Sequence, residues 1–339
     1  MSRKLITIST IMTLMSTSVI ADVPNVAADI APIHSLVSRV MDGVGAPKLI
    51  VQSGASPHGY RLRPSEAKAL QDADHVFWMG EELTPWLDSA IDTLATKASV
   101  TTLLDQQGVI LHDFREGALF EAHDHSAHGD DDHDDHDDHD DHDDHKDHDD
   151  HDDHDDHDDH KDHGDHDDHG SHDPHAWLSP ENAKLWLNII ASKLSVSDPE
   201  NAATYFMNAA AGQAEIEAMI AEVKATLKPV QGGKFVVFHD AYQYFENDFD
   251  FYASGAISLG DSSDPSPARI EKVQKRIRDE GIQCVLAEPQ FKKGLVATVM
   301  EGSDATASVI DPLGAELETG PKQYTQLIKN MAKTLRNCL

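Results

Sequence analysis

Cysteine, basic residues and long apolar runs are all scarce in this chain, and each scarcity excludes a class of protein. Two cysteines in 339 residues are too few for a disulfide-dense miniprotein or for a zinc module built on paired Cys-x-x-Cys clusters. Only 27 Lys and Arg stand against 61 Asp and Glu, a formal net charge of −34, the wrong sign for binding nucleic acid. No apolar run beyond the N-terminus approaches the length of a membrane span, which rules out a polytopic membrane protein.

The acidity is unevenly spread. Residues 123–172 hold 25 Asp, 17 His and two Lys, a formal charge of −23. Without them and the first 21 residues, 268 remain with a net charge of −13. The chain is therefore a mildly acidic globular body, large enough for two lobes, with one very acidic insert. From Asp131 to His163 the insert repeats His-Asp-Asp, with Lys146 and Lys161 each replacing an Asp. A period of three follows no helical face, and almost nothing there is apolar, so the insert is expected to be disordered and extended without metal. Any metal site in it costs chain ordering, which predicts many weak, interchangeable sites. Metal must displace protons from those imidazoles, so their binding weakens as pH falls.

Met1-Ser2-Arg3-Lys4, an apolar stretch rich in Leu, Ile, Met, Thr and Ser, and Ala21 read as a signal peptide over residues 1–21. No Cys follows to carry a lipid, so the mature protein is expected to be exported and soluble. In such a protein Cys284 and Cys338 suggest a disulfide tying a strand-like segment to the end of the chain. Two separate thiols or a two-Cys metal site are the alternatives, and a spacing of 54 suits the metal site poorly.

Short apolar runs at 26–30, 48–51 and 75–79 read as buried strands, separated by helical spacing at 33–41 and 64–71. Thr84-Pro85 and Ser179-Pro180 each look like a helix cap followed by a first-turn proline. Asp198-Pro199 opens a helix expected to run to Leu227, a plausible strut between lobes, or else two shorter helices separated near Gly212. Strands at 234–238, 251–257, 284–287 and 307–310 then alternate with helices at 267–280 and 322–335. The alternation in both halves predicts an α/β protein with mainly parallel sheets flanked by helices. Residues 22–197 form the N-terminal lobe, 198–229 the linking helix and 230–339 the C-terminal lobe.

Six histidines lie outside the insert. His34, His75 and His112 have no chemical context and read as structural. His58, His175 and His239 each end a strand, follow one, or precede a helix start. Ligands of open parallel sheets collect beyond the carboxyl ends of the strands, so these three are placed to meet one cation between lobes. Their spacing matches no local zinc motif.

The segments around them resemble a known family. Gly54-Ala-Ser-Pro-His58-Gly-Tyr60, His175-x-Trp177-Leu178-Ser179-Pro180 and Phe238-His239-Asp240-Ala241-Tyr242 are similar to the signatures of ZnuA-type periplasmic zinc-binding proteins of bacterial zinc ABC importers. Ala287-Glu288-Pro289-Gln290-Phe291, Asp311-Pro312-Leu313-Gly314, the terminal Cys338-Leu339 and the placement of the His- and Asp-rich insert add to the likeness. The resemblance implies two α/β lobes joined by one long helix, with a zinc ion in the interlobe cleft held by His58, His175 and His239. It also implies a Cys284–Cys338 bridge, a periplasmic location and a membrane permease as partner. A monomer that binds no nucleic acid is expected. One position departs from the family pattern: where relatives often carry Glu before the first histidine, this chain has Pro57. The fourth place then falls to water, to the insert or to Asp311, whose alternative role is that of a turn residue at a strand end. Asp240 and Glu288 are candidates for orienting the imidazoles, or are capping or solvated residues.

Three imidazoles with at most one carboxylate favour zinc, since manganese and magnesium prefer oxygen-rich sites. Copper, nickel and cobalt stay open as competitors. The same ligands with an open position would suit a hydrolytic zinc enzyme, but neither His-Glu-x-x-His nor Gly-x-Ser-x-Gly occurs. A third reading makes the insert the working part of a metal-storage or buffering protein. The expected function is zinc capture and delivery without catalysis, through one tight cleft site and weak sites in the insert.

Overall fold

The computed structural model describes residues 23–115, 120, 172–258, 265–290 and 293–339. The expected signal peptide and all of the insert except His172 lie outside the described residues.

Four buried apolar runs become the inner strands of two sheets. In the first half, β1 (Val26–Ala28) and β3 (His75–Trp78) lie between β2 (Lys48–Leu49) and β4 (Ser99–Thr102), in the order β2-β1-β3-β4. In the second, β5 (Phe235–His239) and β7 (Cys284–Ala287) lie between β6 (Ala256–Ser258) and β8 (Thr306–Val309), in the order β6-β5-β7-β8. Every pairing is parallel. Inner strands of a parallel sheet are covered on both faces, which is why they read as unbroken apolar runs. The outer strands are shorter or more polar: Ser99-Val-Thr-Thr gives no such run, and β4 has no counterpart among the sequence expectations. Residues 251–255, expected in a strand, form none; the chain leaves its preceding helix through Asp250 at φ 51°, and Phe251 is buried by packing on Phe235 without a ladder.

In each sheet the chain visits one side of the first strand and then crosses to the other. The carboxyl ends of β1 and β5 are thus the reversal points where a crevice opens. Helices α1 (Ala31–Val40), α2 (Pro64–Asp72) and α3 (Pro85–Leu94) connect the first sheet. After the insert come α4 (Pro180–Ser197) and α5 (Ala202–Leu227). The second sheet is wound by α6 (Gln243–Phe249), α7 (Pro267–Glu280) and α8 (Lys293–Met300), and α9 (Gln323–Cys338) closes the chain.

The linking helix is continuous: α5 runs 26 residues through Gly212, flanked by short 3-10 turns. Gly212 does not break it because its role is contact. A Cβ there would lie 2.9 Å from Leu187 Cδ1 on α4 and 3.1 Å from Arg39 Cγ on α1. The missing side chain lets three helices approach closely. One apolar core then runs without interruption from Val26 and Ile33 through Trp186, Ile216 and Leu327 to Phe235 and Leu286. Cys284 and Cys338 form a disulfide between β7 and the end of α9, pinning that helix to the second lobe.

Candidate metal centre

His239 is the last residue of β5, so the parallel sheet delivers its ring to the crevice at the reversal point. The ring is buried, and its Nδ1 lies 2.6 Å from Glu288 Oε1. Glu288 is the first residue past β7 and is also buried; its other oxygen accepts a bond from Gln290 Nε2 at 2.8 Å. A carboxylate only accepts, so Nδ1 carries the hydrogen and Nε2 presents its lone pair to the cleft.

His175 reaches the same place from the first lobe. Asp173 Oδ1 accepts from both the backbone N of His175 at 3.0 Å and its Nδ1 at 2.6 Å, setting this imidazole in the same tautomer. The following turn, Ala176–Leu178, leads into α4, where Ser179 Oγ caps Asn182 N at 3.3 Å and donates to Asp248 at 2.7 Å. Trp177 Nε1 donates to Pro312 O at 2.8 Å, tying the segment to the turn that carries Asp311.

His58 sits half-buried on the loop between β2 and α2. That loop is braced on both sides of the histidine. Trp86 Nε1 donates to Pro57 O at 2.7 Å, Tyr60 packs on the Trp86 ring, and Tyr60 Oη donates to Glu66 Oε1 at 2.7 Å. Glu66 in turn accepts from Arg63 N at 2.7 Å and starts α2.

The three rings come together. His175 and His239 face each other with Nε2 atoms 3.4 Å apart and ring centres 5.2 Å apart; the His58 and His175 ring centres are 5.5 Å apart. Imidazoles sharing one tetrahedral ion at roughly 2.0–2.1 Å hold their nitrogens about 3.3–3.4 Å and their ring centres about 5.2 Å apart. The trio is open rather than a finished cage: among the described residues, no group of three or more His, Cys, Asp or Glu is drawn together to hold an ion as it stands.

Asp311 follows β8 and acts as a turn residue. Its Oδ1 accepts from Leu313 N and Gly314 N at 3.0 and 2.9 Å, and its Oδ2 from Ala315 N at 2.6 Å. The remaining histidines have protein partners. His34 Nε2 meets Pro47 O at 3.2 Å, His75 Nε2 meets Ser197 Oγ at 2.7 Å, and His112 lies on the Tyr244 ring with Nε2 3.2 Å from Asn247 Nδ2. Burial lowers the pKa of all three from the ordinary histidine value.

Sequence reasoning missed two side chains around the centre. Asp173 reads as a turn residue before Pro174, and only its place two positions ahead of His175 hints at more. Arg115 precedes the insert and pairs with Asp240 and Glu246, 125 and 131 positions away. Burial opposes its charge, yet the two carboxylates outweigh that and raise its pKa. Burial also raises the Asp240 carboxyl and pushes Glu246 up to about 7, both against the pull of Arg115. Asp240 thus bonds Arg115, while Glu288 is the carboxylate bonded to an imidazole.

Residues 26–338 match the model of the family described as zinc-uptake complex component A, periplasmic. The chain is 50% identical over 314 residues to the high-affinity zinc uptake system protein ZnuA of Brucella abortus, covering 93% of this chain and 91% of that protein. It is 45% identical over 320 residues to the protein of the same name from Paracoccus denitrificans, covering 94% and 93%. A crystal structure of a ZnuA deletion mutant with zinc bound is similar in fold, with a TM-score of 0.69 at 19% identity over 94% of this chain and 98% of that one. Among the described residues, no helix is long and apolar enough to cross a membrane. The chain belongs to the ZnuA family of periplasmic zinc-uptake components.

Proposed function

We propose that this protein captures zinc ions in the periplasm and delivers them to the permease of an ABC importer in the inner membrane, acting as a monomer and not as an enzyme. One observation carries the reading. The buried Nε2 atoms of His175 and His239 face each other at 3.4 Å, while a carboxylate holds the Nδ1 of each. An ion placed between them would take one lone pair from each. His58 is the third ligand, arriving on a separately braced loop. The fourth place goes to water, the insert or Asp311, which keeps a lone pair on Oδ2 beyond its one amide bond.

The chemistry supports zinc as cargo. Neutral imidazoles suit zinc, and carboxylates bonded to their far nitrogens raise their basicity. The same bonds argue against a hydrolase: Asp173 and Glu288 are committed to Nδ1 atoms, so neither faces the cleft as a general base. The lobes and the 123–172 insert divide the work, the insert collecting zinc weakly at high local concentration beside the cleft.

The test is a zinc titration against a competing chelator. Replacing His58, His175 and His239 together by Ala should abolish the tight site, whereas deleting 123–172 should leave it intact and remove only weak binding. Tight binding that survives the triple change contradicts the cleft reading.

A further inference from the structure

Arg115 shields two carboxylates, one of them in the residue that follows His239. Its Nε lies 3.0 and 3.1 Å from the two oxygens of Asp240, with Nη2 bonding Asp240 Oδ1 as well, and its Nη1 lies 2.6 Å from Glu246 Oε2. The guanidinium lies over the Phe120 ring, its Cζ 3.5 Å from the ring centre. The Arg115 side chain is 16% exposed, that of Asp240 7% and that of Glu246 1%, so the cluster is largely shielded from water.

The position of Asp240 gives the cluster its significance. It directly follows His239 and lies within electrostatic reach of His175 and Asp173. A carboxylate in the residue next to one imidazole and within electrostatic reach of a second is the group a harder, oxygen-seeking cation would recruit. Here both of its oxygens are turned onto a guanidinium, Oδ1 accepting from Nε and Nη2 and Oδ2 from Nε, while Nη1 holds Glu246, a planar spread of donors that a single ammonium does not offer.

We propose that Arg115 is a specificity-determining residue, which clamps Asp240 away from the bound ion and so keeps the site nitrogen-rich, selecting zinc over manganese. The proposal rests on the cleft reading above. A brace between the root of the insert and the second lobe would need no carboxylate adjoining a ligand, and apolar packing would serve as well.

The experiment measures zinc and manganese affinities, by competition, for the full mature chain and for Arg115→Met with and without Asp240→Asn. With the clamp removed, the manganese-to-zinc affinity ratio should rise by about tenfold or more, since a freed carboxylate adds an oxygen donor. Adding Asp240→Asn should return the ratio to that of the parent. An unaltered ratio in Arg115→Met overturns the proposal, and so does a raised ratio that persists in the double variant, which would indicate a loosened cleft. If Arg115→Met does not fold, Arg115→Lys takes its place. A smaller rise that Asp240→Asn cancels supports the clamp, and an unaltered ratio again overturns it. A parent protein without a tight zinc site would instead defeat the cleft reading, so the two failures are distinguishable.

Discussion

Glu288 and Asp173 do at the scale of single residues what the imidazoles cannot do alone: each accepts from an Nδ1 and so decides that Nε2 faces the cleft. A Glu288→Gln substitution keeps the shape but lets an amide N–H point at His239 Nδ1, which favours the tautomer with hydrogen on Nε2, aimed at the ion. Zinc affinity should fall by roughly 10–100-fold, and nitrogen NMR of the metal-free protein should show the altered tautomer; a full-strength site would refute the assignment. Glu246 supplies a pH signature. Burial pushes it to about 7 from an ordinary value of 4.5, so between these pH values the native state holds a proton that the unfolded chain has lost. Stability from this group is present below that window and declines as pH rises through it. In thermal melts of the metal-free protein, Glu246→Gln should flatten the decline; identical slopes in both proteins would count against it. At this scale the candidate histidines were legible because His239 ends a strand, His175 directly precedes a helical turn and His58 lies on a strand-to-helix loop. Asp173 and Arg115 were not, since a turn-forming Asp and a lone Arg beside an acidic tract acquire their roles only from partners that folding brings to them.

Among the elements, those whose local pattern agreed with their burial were the legible ones. Residues 75–79 and 284–287 announce inner strands, Ser179-Pro180 opens a helix whose serine caps it as expected, and Ser266 caps the helix expected at 267–280. Thr84 is an exception: it precedes Pro85, but its hydroxyl donates to Gly80 O rather than capping α3. Helix α6 was hidden because it is one short aromatic-rich run beside the His239 segment, and β4 because an edge strand tolerates polar residues. Continuity of α5 depends on a tertiary fact, the contact of Gly212 with Leu187 and Arg39. Val at position 212 should destabilise the protein by about 1–3 kcal/mol through overpacking, read as a lower denaturation midpoint. An unchanged or raised midpoint would mean that the three helices have room there.

For the whole molecule, the continuous core and the long helix favour small rocking of the lobes over wide closure, because one apolar interior spans both. The Cys284–Cys338 bridge closes a 54-residue separation, and replacing both cysteines by Ser should cost about 2–4 kcal/mol while sparing zinc affinity, since neither cysteine lies at the imidazoles. Loss of both together would show that the bridge also shapes the cleft. The net charge of −34 belongs chiefly to the insert, and the tight site is assigned to three histidines outside it. The most direct test of that assignment is anomalous diffraction at the zinc edge from crystals of protein loaded with one equivalent of zinc. A single dominant peak is expected about 2.0–2.1 Å from a ring nitrogen of His58 and from the Nε2 atoms of His175 and His239; a dominant peak on the insert, with none between the lobes, would contradict the assignment.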